Sequence, residues 1–305
     1  MIKAVSAENL IKKYGNFTAV NGISFDISEG ECFGFLGPNG AGKSTTVRMI
    51  HCVSPITSGT IVVFGERASI ESRIIKKMTG VIPQEITLDP DLTVYENLSV
   101  FAAFFDIPRS VAKKRIGELL EFIELTNKSR CRIDELSTGM KRRLLIARSM
   151  LNQPKLIIAD EPTTGLDPQA RHLIWQRLRS LKKKGTTLIL TTQYMEEAQQ
   201  LCDRIVILNE GRILRLGCPQ KMIQDEIGKE VIEVRIPQEE DKTLLDSLMG
   251  LYIGHERAGD TLYLYCDDGF PLKKRIVELN LTKVLNRPST LEDVFLKLTG
   301  RSLQE

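Results

Sequence analysis

The sequence predicts an α/β chain in which a mainly parallel sheet carries helices on both faces, with an antiparallel β-region ahead of it and a small α+β domain after it. Two patterns carry this expectation. From Glu31 to Gly217, short apolar runs rich in β-branched residues alternate with segments of helical period, the arrangement of strands and crossover helices in a sheet covered on both sides. Near residue 225 the order changes to strand, helix, two strands, helix, strand, which is the split βαβ order of ferredoxin-like domains. The expected domains are therefore 1–225 and 226–305.

The elements follow in order. "IKAVSAENLIKKYG" and "FTAVNGISFDISEGECFGFLG" alternate apolar and polar positions with Gly and Asn breaks, predicting antiparallel strands that lead into a buried strand, "ECFGFLG". A glycine-rich loop and a helix, "KSTTVRMIHCV", come next. Further strands are expected at "GTIVVFGE", "MTGVIPQE", "KLIIADEP", "TTLILTTQ" and "DRIVILNEGRILRLG". Helices are expected between them at "SRIIKKM", "SVAKKRIGELLEFIEL", "STGMKRRLLIARSMLNQ", "PQARHLIWQRLRSLKKKG" and "YMEEAQQLC". The apolar window from Leu92 to Pro108, interrupted by Glu96, Asn97 and Asp106, reads as a buried or partner-facing helix. In the second domain "KEVIEVRI", "YIGHERAGD", "TLYLYCDD" and "TKVLNRPS" read as strands, with "EEDKTLLDSLMG", "PLKKRIVELN" and a closing "TLEDVFLKLTG" as helices.

Composition narrows the function. The net charge is +3 with both signs interspersed, which gives nucleic-acid binding no electrostatic support. The six cysteines are scattered without a C-x-x-C pair, so neither a zinc site nor a disulfide framework is expected. No signal-like apolar run opens the chain and no stretch of ~18 apolar residues occurs, so the chain is not expected to span a membrane. His51, His172 and His255 are isolated, and Trp175 reads as helix packing.

"GPNGAGKST" fits G-x-x-x-x-G-K-[ST] between a predicted strand and a predicted helix. In Gly37, Pro38, Asn39, Gly40, Ala41, Gly42, Lys43, Ser44 and Thr45, the glycines let backbone N–H groups turn inward around phosphates. Lys43 would reach the terminal phosphates and the Ser44 hydroxyl would ligate Mg²⁺. "LIIADEPT" is an apolar strand ending in two carboxylates that point to opposite sides. Asp160 is the Mg²⁺ partner, directly or through water, and Glu161 is the candidate general base. Alone, a strand ending in Asp-Glu is also what a solvated strand end looks like; the phosphate loop favours the chemical reading.

"LSTGM" (Leu136 to Met140), shortly before the Asp-Glu strand and just ahead of a basic helix, resembles the signature segment of ATP-binding-cassette (ABC) ATPases. The resemblance implies an ABC-type P-loop ATPase domain with an antiparallel β-subdomain and a helical subdomain, using ATP and Mg²⁺. It implies a homodimer in which Ser137 and Gly139 contact the ATP held by the other copy. Tyr14 resembles the aromatic that stacks on adenine, Gln84 the glutamine that touches Mg²⁺ and the attacking water, and Asp167 the residue that crosses the dimer interface. Read alone, these are equally a half-buried strand residue, a polar turn residue and a helix N-cap before Pro168. Two places depart from the family: Thr138 and Met140 stand in a segment usually written LSGGQ, and Gln193 stands where the family usually carries a histidine facing the γ-phosphate. An amide still donates to phosphate but carries no proton near neutral pH, so base chemistry would fall to Glu161 alone and Gln193 would be a geometric catalytic contact.

Within that family, "GLDPQARHLIWQRLRSL", "MEEAQQLCDR", "GKEVIEV" and "RPSTLEDVFLKLTGR" are similar to the ATP-binding subunits of nodulation-factor exporters, a branch close to drug-resistance exporters of the daunorubicin type, which also show "TTQY". This resemblance implies an ATP-hydrolysing subunit, peripheral on the cytoplasmic face of the bacterial inner membrane. It would work with a separate integral-membrane permease, docked near Gln84 and the following helix, and with no nucleic acid. A drug, polysaccharide or lipid exporter of the same branch, a soluble ABC protein without a transport role, and a nucleotide-binding module without turnover are the alternatives.

Overall fold

A computed structural model of the chain describes residues 2–279, 281 and 283–299. Asn280, Thr282 and Gly300, at the ends of elements expected from the sequence, lie outside them. The chain divides into two compact units, Met1–Ile213 and Leu214–Glu305.

In the first unit, strands β1 (Lys3–Tyr14) and β2 (Phe17–Ser28) form a long antiparallel hairpin whose register runs from Lys3 opposite Ser28 to Tyr14 opposite Phe17. Strand β3 (Cys32–Leu36) leads through the glycine-rich loop into helix α1 (Lys43–Ile50). Strands β4 (Ser58–Val63) and β5 (Glu66–Arg67) complete the antiparallel sheet, in the order β2-β1-β4-β5. Then come α2 (Arg73–Met78), β6 (Thr79–Ile82), the helices α3 (Val94–Phe104), α4 (Arg109–Phe122) and α5 (Thr138–Ser149), and strand β7 (Leu156–Asp160). They are followed by α6 (Pro168–Lys183), β8 (Thr187–Thr192), α7 (Met195–Leu201), β9 (Arg204–Asn209) and the edge strand β10 (Arg212–Gly217). Their sheet has the order β10-β9-β3-β8-β7-β6, with β9, β3, β8, β7 and β6 parallel.

The central strands explain why this sheet forms. Every residue of β3 (CFGFL), β7 (LIIAD) and β8 (TLILTT) is buried, as expected of strands covered on both faces. Phe25 of β2 meets Phe33 and Phe35 of β3, the Phe25–Phe35 pair being edge-on at 5.2 Å, so one aromatic cluster joins the two sheets. The core continues through Val47, Met49 and Ile50 of α1 to Leu156, Ile158 and Ile189. Among the helices, α3 opens with a capping box in which Thr93 and Glu96 satisfy each other's backbone N–H groups.

Parallel register does the work that matters for function. Leu36 lies opposite Thr192, and Asp160 opposite Thr191, so β3, β7 and β8 end side by side. Open α/β sheets place their ligand sites at such carboxyl ends.

The second unit, which takes up the end of β10 from Leu214, contains helix α8 (Pro219–Glu226), absent from the sequence expectations although Pro219 stands at the first-turn position that favours it. Strands β11 (Glu230–Arg235), β12 (Gly254–Ala258), β13 (Thr261–Cys266) and β14 (Val284–Pro288) make an antiparallel sheet of order β12-β13-β11-β14. Helices α9 (Asp241–Ser247) and α10 (Gly269–Glu278) supply Leu244, Leu272 and Ile276, and the residue after α9 supplies Leu248, to a core with Ile232, Val234, Leu262 and Leu264. This is the expected β-α-β-β-α-β order. Helix α11 (Leu291–Thr299) closes it, with Lys297 Nζ donating to the Glu226 carbonyl of α8 at 2.6 Å.

Candidate nucleotide site

The loop from Gly37 to Gly42 is held in a shape that only glycine permits at two places. A Cβ at Gly37 would lie 2.2 Å from the Leu208 carbonyl oxygen, and one at Gly42, whose φ is +100°, would lie 2.6 Å from that of Ala19. The N–H groups of Lys43, Ser44 and Thr45 open helix α1, where no earlier turn supplies an acceptor. They are donors aimed at an anion, and the helix dipole adds to them.

Lys43 is 4% exposed; its Nζ donates to the carbonyls of Gly37 at 2.8 Å and Pro38 at 3.1 Å, and lies 3.7 Å from Glu161 Oε1. Burial lowers the ammonium's pKa, while Glu161 and Asp160 pull it back up. Ser44 Oγ donates to Asp160 Oδ1 at 3.0 Å, and the Thr191 hydroxyl holds the same oxygen. Glu161 has φ +46°, in the left-handed region, and its N–H donates to the Thr191 carbonyl at 3.0 Å. This turn sends the carboxylate out of the strand, where its Oε2 accepts from Gln84 Nε2 at 3.1 Å and from Thr164 Oγ1 at 3.2 Å. Tyr14, Phe17, Asn39, Lys43, Gln84 and Glu161 are among the residues lining one cleft of about 260 Å³. Tyr14 is half exposed, with the Lys12 ammonium 4.7 Å from its ring centroid.

The signature residues lie elsewhere in the same unit. Ser137 caps α5, its hydroxyl accepting from Met140 N–H at 3.3 Å, and Asp167 caps α6, accepting from Ala170 N–H at 2.9 Å. Ser137, Thr138, Gly139, Met140 and Asp167 line a separate cavity of about 470 Å³. No residue lines both it and the Lys43 cleft. Gln193 follows the end of β8, half-buried, and makes no side-chain hydrogen bond among the described residues.

Known proteins resemble this chain along its whole length. Residues 20–164 match the ABC transporter family, and residues 245–300 match the family described as "Nodulation factor export protein NodI, C-terminal domain". A Nod factor export ATP-binding protein I from Burkholderia lata is 45% identical, covering 100% of this chain and 99% of that protein. Its counterpart in Paraburkholderia xenovorans is 47% identical over 99% of both chains. The chain belongs to the ABC transporter family of ATP-binding subunits. Among solved structures, a dimeric ATP-binding cassette in a post-hydrolysis state with ADP and Pi matches at TM-score 0.64 and 29% identity, over 70% of this chain and 98% of that one. A component of an ABC transporter complex from Clostridium perfringens matches at TM-score 0.68 and 25% identity, over 82% and 96%.

As an ABC ATPase, the chain has its phosphate loop, Gln84 and Glu161 lining one cleft, with the buried Asp160 hydrogen-bonded to Ser44 of that loop. Three residues of the site were not anticipated. Thr191 holds both Asp160 and the Glu161 backbone, Thr164 holds Glu161, and Arg142 donates to the carbonyls of Pro83 at 2.6 Å and Gln84 at 2.8 Å, fixing the Gln84 loop. Both threonines stand within a few residues of predicted site positions, and that adjacency was the available signal.

The residues present suit ATP with a hard divalent cation. First-turn residues, Lys43, Ser44 and Gln84 line one cleft, and the buried Asp160 carboxylate accepts from the Ser44 hydroxyl; hydroxyl, amide and carboxylate oxygens are the kind Mg²⁺ prefers. Among the described residues no cluster of three or more His, Cys, Asp or Glu forms a metal cage, and Mg²⁺ bound beside phosphates needs none.

Proposed function

We propose that this ABC ATPase works as a homodimer whose two nucleotide sites are each completed by the partner copy, and that it drives a separate membrane permease exporting a nodulation-factor-type lipo-oligosaccharide. The observation that carries the dimer is the separation of the two half-sites. The Lys43 cleft holds the loop and base, the Ser137 cavity holds the signature, and they are distinct spaces on one chain. A dimer that brings the second against the first gives each ATP both sets of contacts.

In that arrangement the loop N–H groups and Lys43 bind phosphate oxygens; Ser44, Asp160 and Gln84 would hold Mg²⁺, which would supply neutralisation of phosphate charge. Tyr14 stacks on the base. Glu161, oriented by Gln84 and Thr164, takes the proton of the attacking water. Gln193 donates its amide to the terminal phosphate. Ser137 and Gly139 contact that phosphate from the other copy, and Asp167 crosses the interface.

Two features support the permease. Among the described residues no helix is long and apolar enough to cross a membrane. Beside the Gln84 loop, Val53, Val81, Pro83, Phe101 and Phe105 help line a largely apolar groove of about 260 Å³, and Phe104 nearby in sequence is 77% exposed. A short helix from a permease would bury such a surface, placing the ATPase peripherally on the cytoplasmic face of the inner membrane. The cargo is drawn from the names of the full-length relatives, which are Nod factor export proteins. Affinity purification from detergent-solubilised membranes should recover a multi-spanning partner. Recovery on ribosomes without such a partner would overturn the exporter reading.

A further inference from the structure

Glu197, in the first turn of α7, is 0% exposed. One of its oxygens, Oε1, accepts two hydrogen bonds, from Thr163 Oγ1 at 2.8 Å and from Trp175 Nε1 at 2.9 Å. The other, Oε2, has no hydrogen-bond partner among the described residues. Burial pushes the carboxyl's pKa up, offset in part by the neighbouring Thr192 hydroxyl, then by the Thr163 hydroxyl and the Trp175 N–H. The cations that act on it are Arg171 of α6 and Arg142 of α5, and the Cys202 thiol at the end of α7 is its titratable neighbour. An acid at this depth is costly unless it is hydrogen-bonded, and its hydrogen bonds then hold its neighbours in one arrangement.

The neighbours are informative. Thr163 lies between Glu161 and Asp167, Trp175 lies on the helix that Asp167 caps, and Glu197 lies on the helix that begins just after Gln193. A single oxygen thus joins the segment carrying the base, the helix bordering the signature cavity and the segment carrying the phosphate contact. We propose that Glu197 is a positioning residue for hydrolysis, setting the spacing of Gln193 against Glu161 and Asp167 through Thr163 and Trp175. It touches no reacting atom. This inference rests on the roles given above to Glu161 and Gln193.

The geometry separates turnover from binding. The phosphate loop and Tyr14 make no described hydrogen bond with Glu197, so its loss should leave nucleotide affinity in place and misalign the base and amide. In steady-state kinetics on the full chain with MgATP, Glu197→Ala should lower kcat on the order of 10²-fold, the scale of an ~1 Å misplacement, with KM for ATP within about twofold. Glu197→Gln keeps a carbonyl acceptor for both donors and should recover to within about threefold of the parent. Thr163→Val, close to isosteric, should lower kcat in the same direction and add little on top of Glu197→Ala.

A second readout is spectroscopic. Trp175 is the only tryptophan, so its emission reports directly on this hydrogen bond. In a Glu161→Gln background, MgATP should shift Trp175 emission, and adding Glu197→Ala should abolish the shift. Three results overturn the positioning role: a Glu197→Ala kcat equal to the parent's, a KM that rises in step with the fall in kcat, or a Glu197→Gln variant as impaired as Glu197→Ala. A parent chain that hydrolyses no ATP overturns the ATPase mechanism and this inference together, whereas an active parent with an unaffected Glu197→Ala overturns the inference alone.

Discussion

Gln84 Nε2 donates to Glu161 Oε2 across 3.1 Å, joining the loop after β6 to the residue that follows β7. The contact orients the candidate base from a loop that Arg142 of α5 also holds, through the carbonyls of Pro83 and Gln84. Gln84→Ala should therefore lower kcat by about tenfold through loss of orientation while leaving KM for ATP nearly unchanged. Phosphate-release kinetics measure both, and an unchanged kcat would remove Gln84 from the mechanism.

Gln193 follows Thr192, the last residue of β8, which lies opposite Leu36 at the end of β3 just before the phosphate loop. Losing its amide should reduce turnover on the order of 10²-fold, as with other lost oxyanion donors. Gln193→His restores a donor and should stay active. Full activity in Gln193→Ala would make the residue an ordinary polar strand end.

Gly42→Ala tests the phosphate cradle. The added Cβ meets the Ala19 carbonyl at 2.6 Å in a backbone conformation of φ +100°. Backbone strain of this kind costs about 1–3 kcal/mol, so ATP affinity measured calorimetrically should fall by roughly tenfold or more. Parental affinity would show that the loop adapts.

Acid should weaken the fold through His51, at the end of α1. Burial pushes its imidazole down to about 4 against the pull of Asp160, with Arg48 and Lys76 adding to the depression. A folded-state value below the ordinary 6.5 means that the unfolded chain binds the proton first. Stability is then untouched above neutral pH, declines as pH falls through 6.5 toward 4, and is lower by about 2 kcal/mol at pH 5 from this group. Thermal melts at pH 7 and 5 should show a smaller acid loss in His51→Gln than in the parent. Equal losses would contradict it.

The succession of strands and helices and the glycine-rich phosphate loop were readable in the sequence because both rest on local pattern. Unbroken apolar runs such as "CFGF" and "LIIA" can be satisfied only inside a covered sheet, and a glycine-rich turn between strand and helix leaves a single geometry for Lys43 and Ser44. What escaped reading depends on tertiary packing. Glu197 belongs to "MEEA", which reads as the ordinary acidic start of a solvated helix; only the meeting of α6 and α7 buries it against Trp175. Thr191 reads as one more β-branched strand residue, and its grip on Asp160 comes from the register between β7 and β8. Helix α8 is too short for its apolar period to announce itself.

In the proposed dimer, ATP closes two copies of this chain around composite sites. The most direct measurement is the mass in solution of Glu161→Gln, by size-exclusion chromatography with light scattering, with MgATP and with MgADP. MgATP should yield a dimer and MgADP a monomer, and adding Ser137→Arg, which crowds the signature face, should abolish the ATP-dependent dimer while leaving ATP binding intact. A species that stays monomeric in MgATP, or that dimerises equally in both nucleotides, would contradict the claim.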